Sequence, residues 1–256
     1  MSEEYTPNIR LYVDKELAVN ASIELDKAQS HYLVSVMRQK PGMQLELFNG
    51  RDGSFVAVIE QADRKAVQLR CSSHYSAQIS SPDIWFVFAP IKRTRLDFMA
   101  QKATELGAGL IWPVFTDYTQ VSRVNTDRLE ANAIEAAEQS GRMDIPEIRP
   151  CEKLASVLCD WPSDRHLIFC DELAAGQNSP AQTLSALKQN AGASLKAAIL
   201  IGPEGGFSAA EREMLLNMDC TYTLSLGPRI LRADTAGLSA LTLVQAFCSD
   251  WVENTS

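Results

Sequence analysis

The sequence predicts an α/β protein in which a small, mostly β amino-terminal domain precedes a larger domain with a parallel sheet. Three observations support this prediction. Strand-like segments fill most of the first 75 of the 256 residues. From residue 84 onward, apolar runs alternate with amphipathic helices, which is the pattern of a parallel sheet covered on both faces. Two glycine-bearing turns, at 201–207 and 226–236, each follow one of the last apolar runs.

The amino-terminal domain is predicted to span residues 1–75. One helix, from about Lys27 to Gln39, interrupts its strands, and His31, Ser35 and Arg38 fall at i, i+4 and i+7 on that helix. These three side chains therefore share a polar stripe. A small closed barrel with one helix is the expected outcome. The strand-like segments are IRLYV, MQLELF, GSFVAVIE and AVQLRCSS, with NGRDG as the turn between the second and the third.

A polar segment at 76–83, SAQISSPD, is predicted to be the linker to a second domain at 84–256. Gly107 and Gly141 end the first two helices of that domain. A third helix is predicted after Ser179, which would cap it, with Pro180 at its first position and Gln182 at its third. The predicted strands and helices, in order, are IWFVFAP, RLDFMAQKATEL, LIWPVF, DRLEANAIEAAEQS, HLIFCDE, the helix after Ser179, AAILIG, AAEREMLLNM, TYTLSL and a last helix from about Thr235 to Asp250.

Composition excludes several classes of protein. No apolar stretch has membrane-spanning length, and the first ten residues are polar and acidic, so we expect a cytoplasmic protein. The cysteines form no CxxC pair and the three histidines lie far apart, so neither a metal site nor a disulfide framework is expected. Buried, reduced thiols are the expectation for all six cysteines: Cys71, Cys151, Cys159, Cys170, Cys220 and Cys248.

The net charge of -8 argues against a basic coat for nucleic acid, so any RNA contact must come from local clusters. One such cluster lies within residues 92–102, where Asp97 is the only acid. For any one basic residue taken alone, a solvated face is an equal alternative. The clustered residues are Lys92, Arg93, Arg95 and Lys102, and further arginines near predicted loops or helix ends are Arg123, Arg128, Arg142, Arg149, Arg229 and Arg232.

The first turn, IGPEGGF at 201–207, has neither the GxGxxG spacing of dinucleotide folds nor the Gly-Lys-Ser/Thr of a P-loop. Gly202, Gly205 and Gly206 let the backbone approach a flat ligand closely. Ser208 and Glu211 form a capping box for the next helix. An ordinary strand-to-helix turn is the alternative.

The second turn, LGPRILRADTA at 226–236, concentrates two arginines and an aspartate between a strand and a long apolar helix. Buried charge is costly unless it is paired or used. If the strands before the two turns are neighbours in a parallel sheet, both turns open at the carboxyl edge, where such sheets bind ligands. One site built from both turns is therefore predicted.

In their order and position, these turns resemble the adenosylmethionine site of the SPOUT methyltransferases. The motifs are similar to those of the ribosomal RNA small subunit methyltransferase E family, which methylates N3 of a uridine in 16S rRNA. The family often has Glu where Asp234 stands here, so the carboxylate is kept with a shorter reach. Further matching stretches, which extend the resemblance over nearly the whole chain, are HYLVSVMR at 31–38 followed by Pro41 and Gly42, QKATELGAG at 101–109, AAEQSGR at 136–142 and PEIRP at 146–150.

The resemblance implies a deep trefoil knot near the carboxyl terminus, a PUA-like RNA-binding barrel at 1–75, and a homodimer whose second subunit helps to complete each site. Residues 136–142 are a candidate for that contribution. The implied methyl donor is S-adenosylmethionine, with no metal, and the implied partner is 16S rRNA within the small ribosomal subunit. Donor-binding residues are then Ile201, Gly202, Pro203, Glu204, Gly205, Gly206, Leu226, Gly227, Ile230, Leu231 and Ala236, and RNA-binding residues are His31, Arg38, Lys92, Arg93, Arg95, Arg123 and Arg142. For His31 and Arg38, a packing role is the alternative.

A uridine N3 carries a proton at neutral pH, so it needs a base, or cations that stabilise the uridinate through O2 and O4. Arg232 is the predicted electrostatic residue, because its fork can reach two acceptors at once. Glu138 and Asp234 are the candidate bases. An ion pair with a nearby arginine is the alternative for Glu138, and Glu204 is less suited because it lies in the first turn.

Two further interpretations of the function remain open. The substrate atom could be a ribose 2′-hydroxyl of tRNA or rRNA, or the chain could be a non-catalytic RNA-binding assembly factor that keeps the fold.

Two acidic residues, Asp171 and Glu172, lie at the end of another predicted strand. They are expected either to face the ribose of S-adenosylmethionine or to cap a loop.

Overall fold

The computed structural model describes residues 8–174, 179–192, 195–249 and 251. The chain divides into two compact units: residues 1–80 together with 137–145, and residues 81–136 together with 146–256. The short stretch at 137–145 is therefore assigned by its contacts to the first unit, although it lies far along the chain.

The first unit is built on a five-stranded sheet in the order β1-β3-β4-β5-β2. Strand β1 pairs parallel with β3, and the other pairs are antiparallel. Strand β2 was not expected from the sequence, because it has only three residues, with Ile23 alone buried between exposed Ser22 and Glu24. The strands are β1 (Arg10–Tyr12), β2 (Ser22–Glu24), β3 (Gln44–Phe48), β4 (Ser54–Gln61) and β5 (Gln68–Ser76).

The predicted amino-terminal helix is shorter than expected. Helix α1 (Lys27–His31) continues as a π-helical turn over Tyr32–Val36. It ends there because Arg38 adopts a left-handed φ of 54°. The polar stripe is therefore altered: His31 lies on α1, whereas Arg38 lies beyond the helix, and both side chains are exposed.

The second unit contains a parallel sheet in the order β12-β10-β11-β6-β7-β8, with β9 also paired to β7. Strand β10 lies between β11 and β12, so the strands that precede the two turns are not neighbours. Both turns still open at the same carboxyl edge, because all these pairs are parallel. The strands are β6 (Ile84–Phe88), β7 (Leu110–Phe115), β8 (Glu147–Ile148), β9 (Glu152–Lys153), β10 (His166–Cys170), β11 (Ala197–Ile201) and β12 (Thr221–Leu224).

Helices cover this sheet, and the two predicted capping boxes are confirmed, Ser179 with Gln182 and Ser208 with Glu211. Helix α4 and the two-residue strands β8 and β9 were not expected, because they are too short to show a period. The helices are α2 (Arg93–Glu105), α3 (Thr126–Ser140), α4 (Leu154–Cys159), α5 (Pro180–Ala191), α6 (Ala209–Leu216) and α7 (Ala233–Cys248), with a 3-10 turn at Glu172–Ala174.

Both faces of the sheet are buried, so the predicted α/β class is confirmed. Ile84, Phe86 and Phe88 of β6 point into one apolar cluster, and Val87 points into the other. Helix α7 packs closely on the first face, because a Cβ on Gly237 would lie only 2.7 Å from Cζ of Phe86.

The described cysteines are free thiols. Cys71 is buried, Cys159 is exposed, and the other four are half-buried, so the expectation of six buried thiols was right for Cys71 alone. Cys159 ends the short helix α4, which the sequence did not reveal. Among the described residues, no helix is both long and apolar enough to span a bilayer.

Candidate active site

A cavity lies at the carboxyl edge of the parallel sheet of the second unit, where β10, β11 and β12 end. Both turns contribute to it, and the end of β10 lies between them. The lining residues are Cys170 to Leu173, Ile201 to Glu204, Gly206, Phe207, Arg212, Leu224 to Leu231, Ala233 and Ala236.

Ten of the eleven predicted donor-binding residues line this cavity. The exception is Gly205, which faces Tyr118: a Cβ on Gly205 would lie 3.4 Å from Cβ of Tyr118. The turns are thus brought together as predicted, although their strands are separated by β10.

Two glycines of the first turn are required by close contacts. A Cβ on Gly202 would lie 2.6 Å from Cε2 of Phe207, which occupies that space. Gly206 has a φ of 72°, and its Cβ would lie 3.0 Å from Oε1 of Glu172. The first turn therefore approaches both its own aromatic residue and the end of β10 closely.

The end of β10 supplies charge to the cavity. Asp171 is buried and forms an ion pair with Arg212 of α6, with Oδ2 2.9 Å from Nε and 2.8 Å from Nη2. Its Oδ1 accepts a hydrogen bond from the Leu173 amide at 3.0 Å. Glu172 is exposed, and among the described residues its carboxylate has no ion pair or hydrogen bond. The sequence pointed to both acids, whereas Arg212 could be found only as the residue one helical turn after Ser208.

Arg95 of α2 joins the two turns. Its Nη1 lies 2.9 Å from Oε1 of Glu204 in the first turn, and its Nε lies 3.7 Å from Oδ2 of Asp234 at the start of α7. The other oxygen of Asp234 accepts a hydrogen bond from the Thr235 amide at 2.8 Å. Asp234 is therefore held as an ion-pair partner, and Arg95, predicted to contact RNA, is engaged within the protein.

Arg232 is the residue immediately before α7, and its side chain is exposed. Among the described residues, no hydrogen bond or ion pair holds its guanidinium. It lies outside the cavity lining but between lining residues Leu231 and Ala233. The positive end of the α7 dipole adds to its charge at this position.

Glu138 and Arg142 belong to the first unit. One oxygen of Glu138 accepts a hydrogen bond from the Tyr12 amide at 3.0 Å. Nε of Arg142 lies 2.7 Å from Oδ1 of Asp144, and its side chain is only 7% exposed. Arg142 is therefore poorly placed to contact RNA, because its guanidinium is enclosed and paired.

Arg10 holds the same segment to β1. Its guanidinium donates to the carbonyl of Ala137 at 3.0 Å and to that of Arg142 at 3.1 Å. It also pairs with Glu46 at 3.1 Å and stacks on Phe48, with 4.6 Å from its Cζ to the ring centroid. These contacts explain why 137–145 groups with the first unit.

The remaining predicted RNA contacts are dispersed. Lys92, which precedes α2, and Arg123, which precedes α3, are exposed. The side chain of Arg93 lies outside the described residues.

The thiol of Cys170 is held neutral at the cavity, because burial raises its pKa to about 12. Among the described residues, no group of three or more His, Cys, Asp or Glu could hold a metal ion.

Comparison with known proteins defines the class. The family model described as an RNA methyltransferase domain matches residues 79–245, and a model described as an RNA methyltransferase PUA domain matches residues 25–70. A parallel α/β unit with a cavity at its carboxyl edge, in a chain that matches these models, is an RNA methyltransferase.

The relatives identify the family within that class. A Ribosomal RNA small subunit methyltransferase E from Rickettsia conorii is 32% identical over 237 residues, covering 92% of this chain and 94% of that protein. The chain therefore belongs to the ribosomal RNA small subunit methyltransferase E family.

Solved structures agree with this assignment. A methyltransferase from Legionella pneumophila, in complex with the cofactor SAM, is 31% identical with a TM-score of 0.83, covering 96% of this chain and 100% of that one. The family enzyme from Neisseria gonorrhoeae, bound to S-adenosyl methionine, has a TM-score of 0.81 at 24% identity, covering 94% and 98%, and shares the fold.

Proposed function

We propose that this protein transfers the methyl group of S-adenosylmethionine to N3 of a uridine in 16S rRNA of the small ribosomal subunit. The observation that carries the proposal is the convergence of both turns on one cavity, with Arg232 beside its wall. Membership of the family supports the substrate and the donor.

The residues present fit S-adenosylmethionine. The cavity offers apolar side chains such as Ile201 and Leu226 beside backbone groups of the two turns, and a side chain at Gly206 would meet Glu172. The Glu172 carboxylate would accept hydrogen bonds from the hydroxyl or ammonium groups of S-adenosylmethionine. The Arg229 guanidinium would pair with the carboxylate of the same ligand. When bound, the donor supplies an electrophilic methyl group on a sulfonium.

In the proposed reaction, the protein aligns the uridine N3 with that methyl group and excludes water. Arg232 stabilises the negative charge that develops on the uridine oxygens as the N3 proton leaves. Asp234 is not assigned as the base, because its carboxylate is occupied by Arg95 and the Thr235 amide. Glu138 is proposed as the proton acceptor in the site of a neighbouring subunit, where its carboxylate would exchange the hydrogen bond from the Tyr12 amide for the uridine N3 proton.

We further propose a trefoil knot formed by α7 and the second turn, a PUA-like barrel in the first unit, a homodimer and a cytoplasmic location. Close packing of α7 on β6 at Gly237 supports a helix threaded tightly against the sheet. RNA contacts are assigned to His31 and Arg38 in the first unit and to Lys92 and Arg123 in the second. The segment 136–142 is the proposed contribution to a neighbouring subunit.

The proposal is tested with purified protein, radiolabelled S-adenosylmethionine and small subunits from a bacterial strain that lacks the family enzyme. We expect one 3-methyluridine per subunit by nucleoside mass spectrometry and a reverse-transcription stop at the target. A methyl that stays with the ribose would instead indicate a 2′-O-methyltransferase, and absence of donor binding by calorimetry would indicate an assembly factor.

Arg232→Ala tests the electrostatic role. We expect kcat to fall about 100-fold or more, the effect of removing one group that stabilises developing charge. Arg128→Ala is the matched control, since Arg128 pairs with Asp97 and does not line the cavity. Equal activity of the Arg232→Ala and Arg128→Ala variants would exclude the role of Arg232.

A further inference from the structure

Tyr118 is a large aromatic residue on the tight turn that follows β7. The turn closes with a hydrogen bond from the Thr119 amide to the Thr116 carbonyl at 3.1 Å. The Thr116 amide in turn donates to Oγ1 of Thr119 at 2.9 Å. Tyr118 is nevertheless 48% exposed, so the turn presents an aromatic side chain to solvent.

A buried carboxylate on helix α6 fixes this turn. Glu211 is 8% exposed, and its two oxygens accept from the amides of Asp117 and Ser208, each at 2.9 Å. The Ser208 hydroxyl also donates to Asp117 at 2.6 Å. The backbone on both sides of Tyr118 is therefore held in place, and little conformational freedom remains to be lost on binding.

Gly205 connects Tyr118 to the first turn. A Cβ on Gly205 would lie 3.4 Å from Cβ and 3.9 Å from Cγ of Tyr118, so the base of the aromatic ring packs against the backbone there. The neighbours of Gly205, Glu204 and Gly206, both line the cavity. The first turn thus has one side toward the cavity and another toward Tyr118.

The charges around Tyr118 select the kind of ligand. Asp117 precedes it and is exposed, and Glu204, which precedes Gly205, is exposed and paired with Arg95. A carboxylate repels phosphate and an ion pair attracts it only weakly, so this surface suits the uncharged face of a nucleobase better than an RNA backbone. Aromatic side chains bind single-stranded RNA by stacking on such faces.

We propose that Tyr118 is a stacking platform for an unpaired nucleobase of the substrate RNA that flanks the methylated nucleotide. This inference rests on the proposed RNA methyltransferase function. It assigns a base contact to a chain segment outside the two turns.

The test compares Tyr118→Ala, Tyr118→Leu and Tyr118→Phe with the full-length wild type. Binding of a fluorescein-labelled, single-stranded oligoribonucleotide with the target sequence is measured by anisotropy. Alanine and leucine should weaken binding roughly 5- to 100-fold, the range of one lost stacking contact, whereas phenylalanine should keep it within about twofold. Phe98→Ala, which removes another aromatic residue that is 40% exposed, is the matched control and should leave binding unchanged.

Three results would overturn the inference. Unchanged binding by Tyr118→Ala would exclude stacking, and wild-type binding by Tyr118→Leu would indicate an apolar contact without stacking. Dissociation of the alanine variant into monomers during sedimentation would assign Tyr118 to contact with a second copy of the chain. Failure of the proposed function itself is recognised separately, because the wild type would then neither bind S-adenosylmethionine nor methylate small subunits.

Discussion

Arg95 and Glu204 form an ion pair, with 2.9 Å between Nη1 and Oε1, that joins helix α2 to the first turn. The same guanidinium reaches Asp234 in the second turn. One side chain from a third segment therefore holds both halves of the cavity, and its removal should loosen the cavity more than the fold.

Arg95→Ala should raise the Kd for S-adenosylmethionine about 3- to 10-fold, measured by calorimetry. The free energy of unfolding should change by only about 1 kcal/mol or less, because Arg95 is 35% exposed and its ion pairs are screened by water. Arg128→Ala removes a comparable arginine–carboxylate pair from α3 and should leave donor binding unchanged. Similar donor affinities for the two variants would show that Arg95 does not organise the turns.

The Asp234→Asn variant tests whether Asp234 acts as an ion-pair partner or as the catalytic base. Loss of a catalytic base lowers kcat about 100- to 10,000-fold and removes a limb of the pH–rate profile. Because Asp234 already engages Arg95 and the Thr235 amide, we expect a loss of less than about 10-fold and an unchanged profile. Asp234→Glu should retain activity within about threefold, since the longer side chain keeps the charge that Arg95 needs. A flattened pH profile for the asparagine variant would restore Asp234 as the base.

Gly202→Ala and Gly205→Ala form a matched pair within the first turn. A Cβ on Gly202 collides with the Phe207 ring, which packs edge-on against Phe169. We expect Gly202→Ala to lower the free energy of unfolding by about 1–3 kcal/mol, the cost of forcing a packed side chain to move. The added Cβ on Gly205 meets only ordinary contact with Tyr118, so Gly205→Ala should cost less than about 0.5 kcal/mol. Chemical denaturation measures the free energy of unfolding of both variants. Equal losses would contradict the inference that Phe207 occupies the space beside Gly202.

Cysteine alkylation should distinguish the thiols. Exposed Cys159 should react with iodoacetamide at pH 8, whereas Cys170 should not, because burial raises its pKa to about 12 and keeps it protonated. All six should react once guanidinium unfolds the chain. Mass spectrometry of peptides measures the rates, and equal rates for the two thiols in the folded protein would show that Cys170 is accessible.

The same thiol makes stability depend on alkaline pH. An unfolded Cys170 ionises near its ordinary pKa of 9.0, whereas the folded one ionises near 12. Between these values the unfolded chain releases a proton that the folded chain retains. The free energy of unfolding should therefore fall as pH rises from about 9 to about 12, by up to about 1.4 kcal/mol per pH unit for this group, with no contribution below about pH 9.

The long elements could be predicted from the sequence, because their periods and caps are strong. Helix α5 begins after Ser179 and helix α6 after Ser208, each with the capping box that the sequence indicates. The short strands β2, β8 and β9 could not be predicted, because pairing with neighbouring strands creates them. The strand order is of the same kind: nothing local to β10 reveals that it lies between β11 and β12.

The site divides in the same way. Ten residues that line the cavity could be predicted, because two turns carry them in continuous stretches. The ion-pair partners of the charged residues could not be predicted, because they are distant in sequence. Arg95 lies 109 residues from Glu204, and Arg212 lies 41 residues from Asp171. A charged side chain in a sequence indicates that an ion-pair partner is needed, and only the three-dimensional structure identifies that partner.

The pairing of β6 with β11 has a consequence for the synthesis of this protein. Ile84 of β6 lies opposite Ala197 of β11, so the ribosome adds more than 100 residues between the two strands. At bacterial elongation rates of about 5–20 residues per second, β6 waits roughly 5–20 seconds for its neighbour. During that interval an apolar strand destined for the centre of a sheet has one open edge, a template for aggregation. We therefore expect the open edge of β6 to need shielding, for example by a chaperone, until the last quarter of the chain emerges.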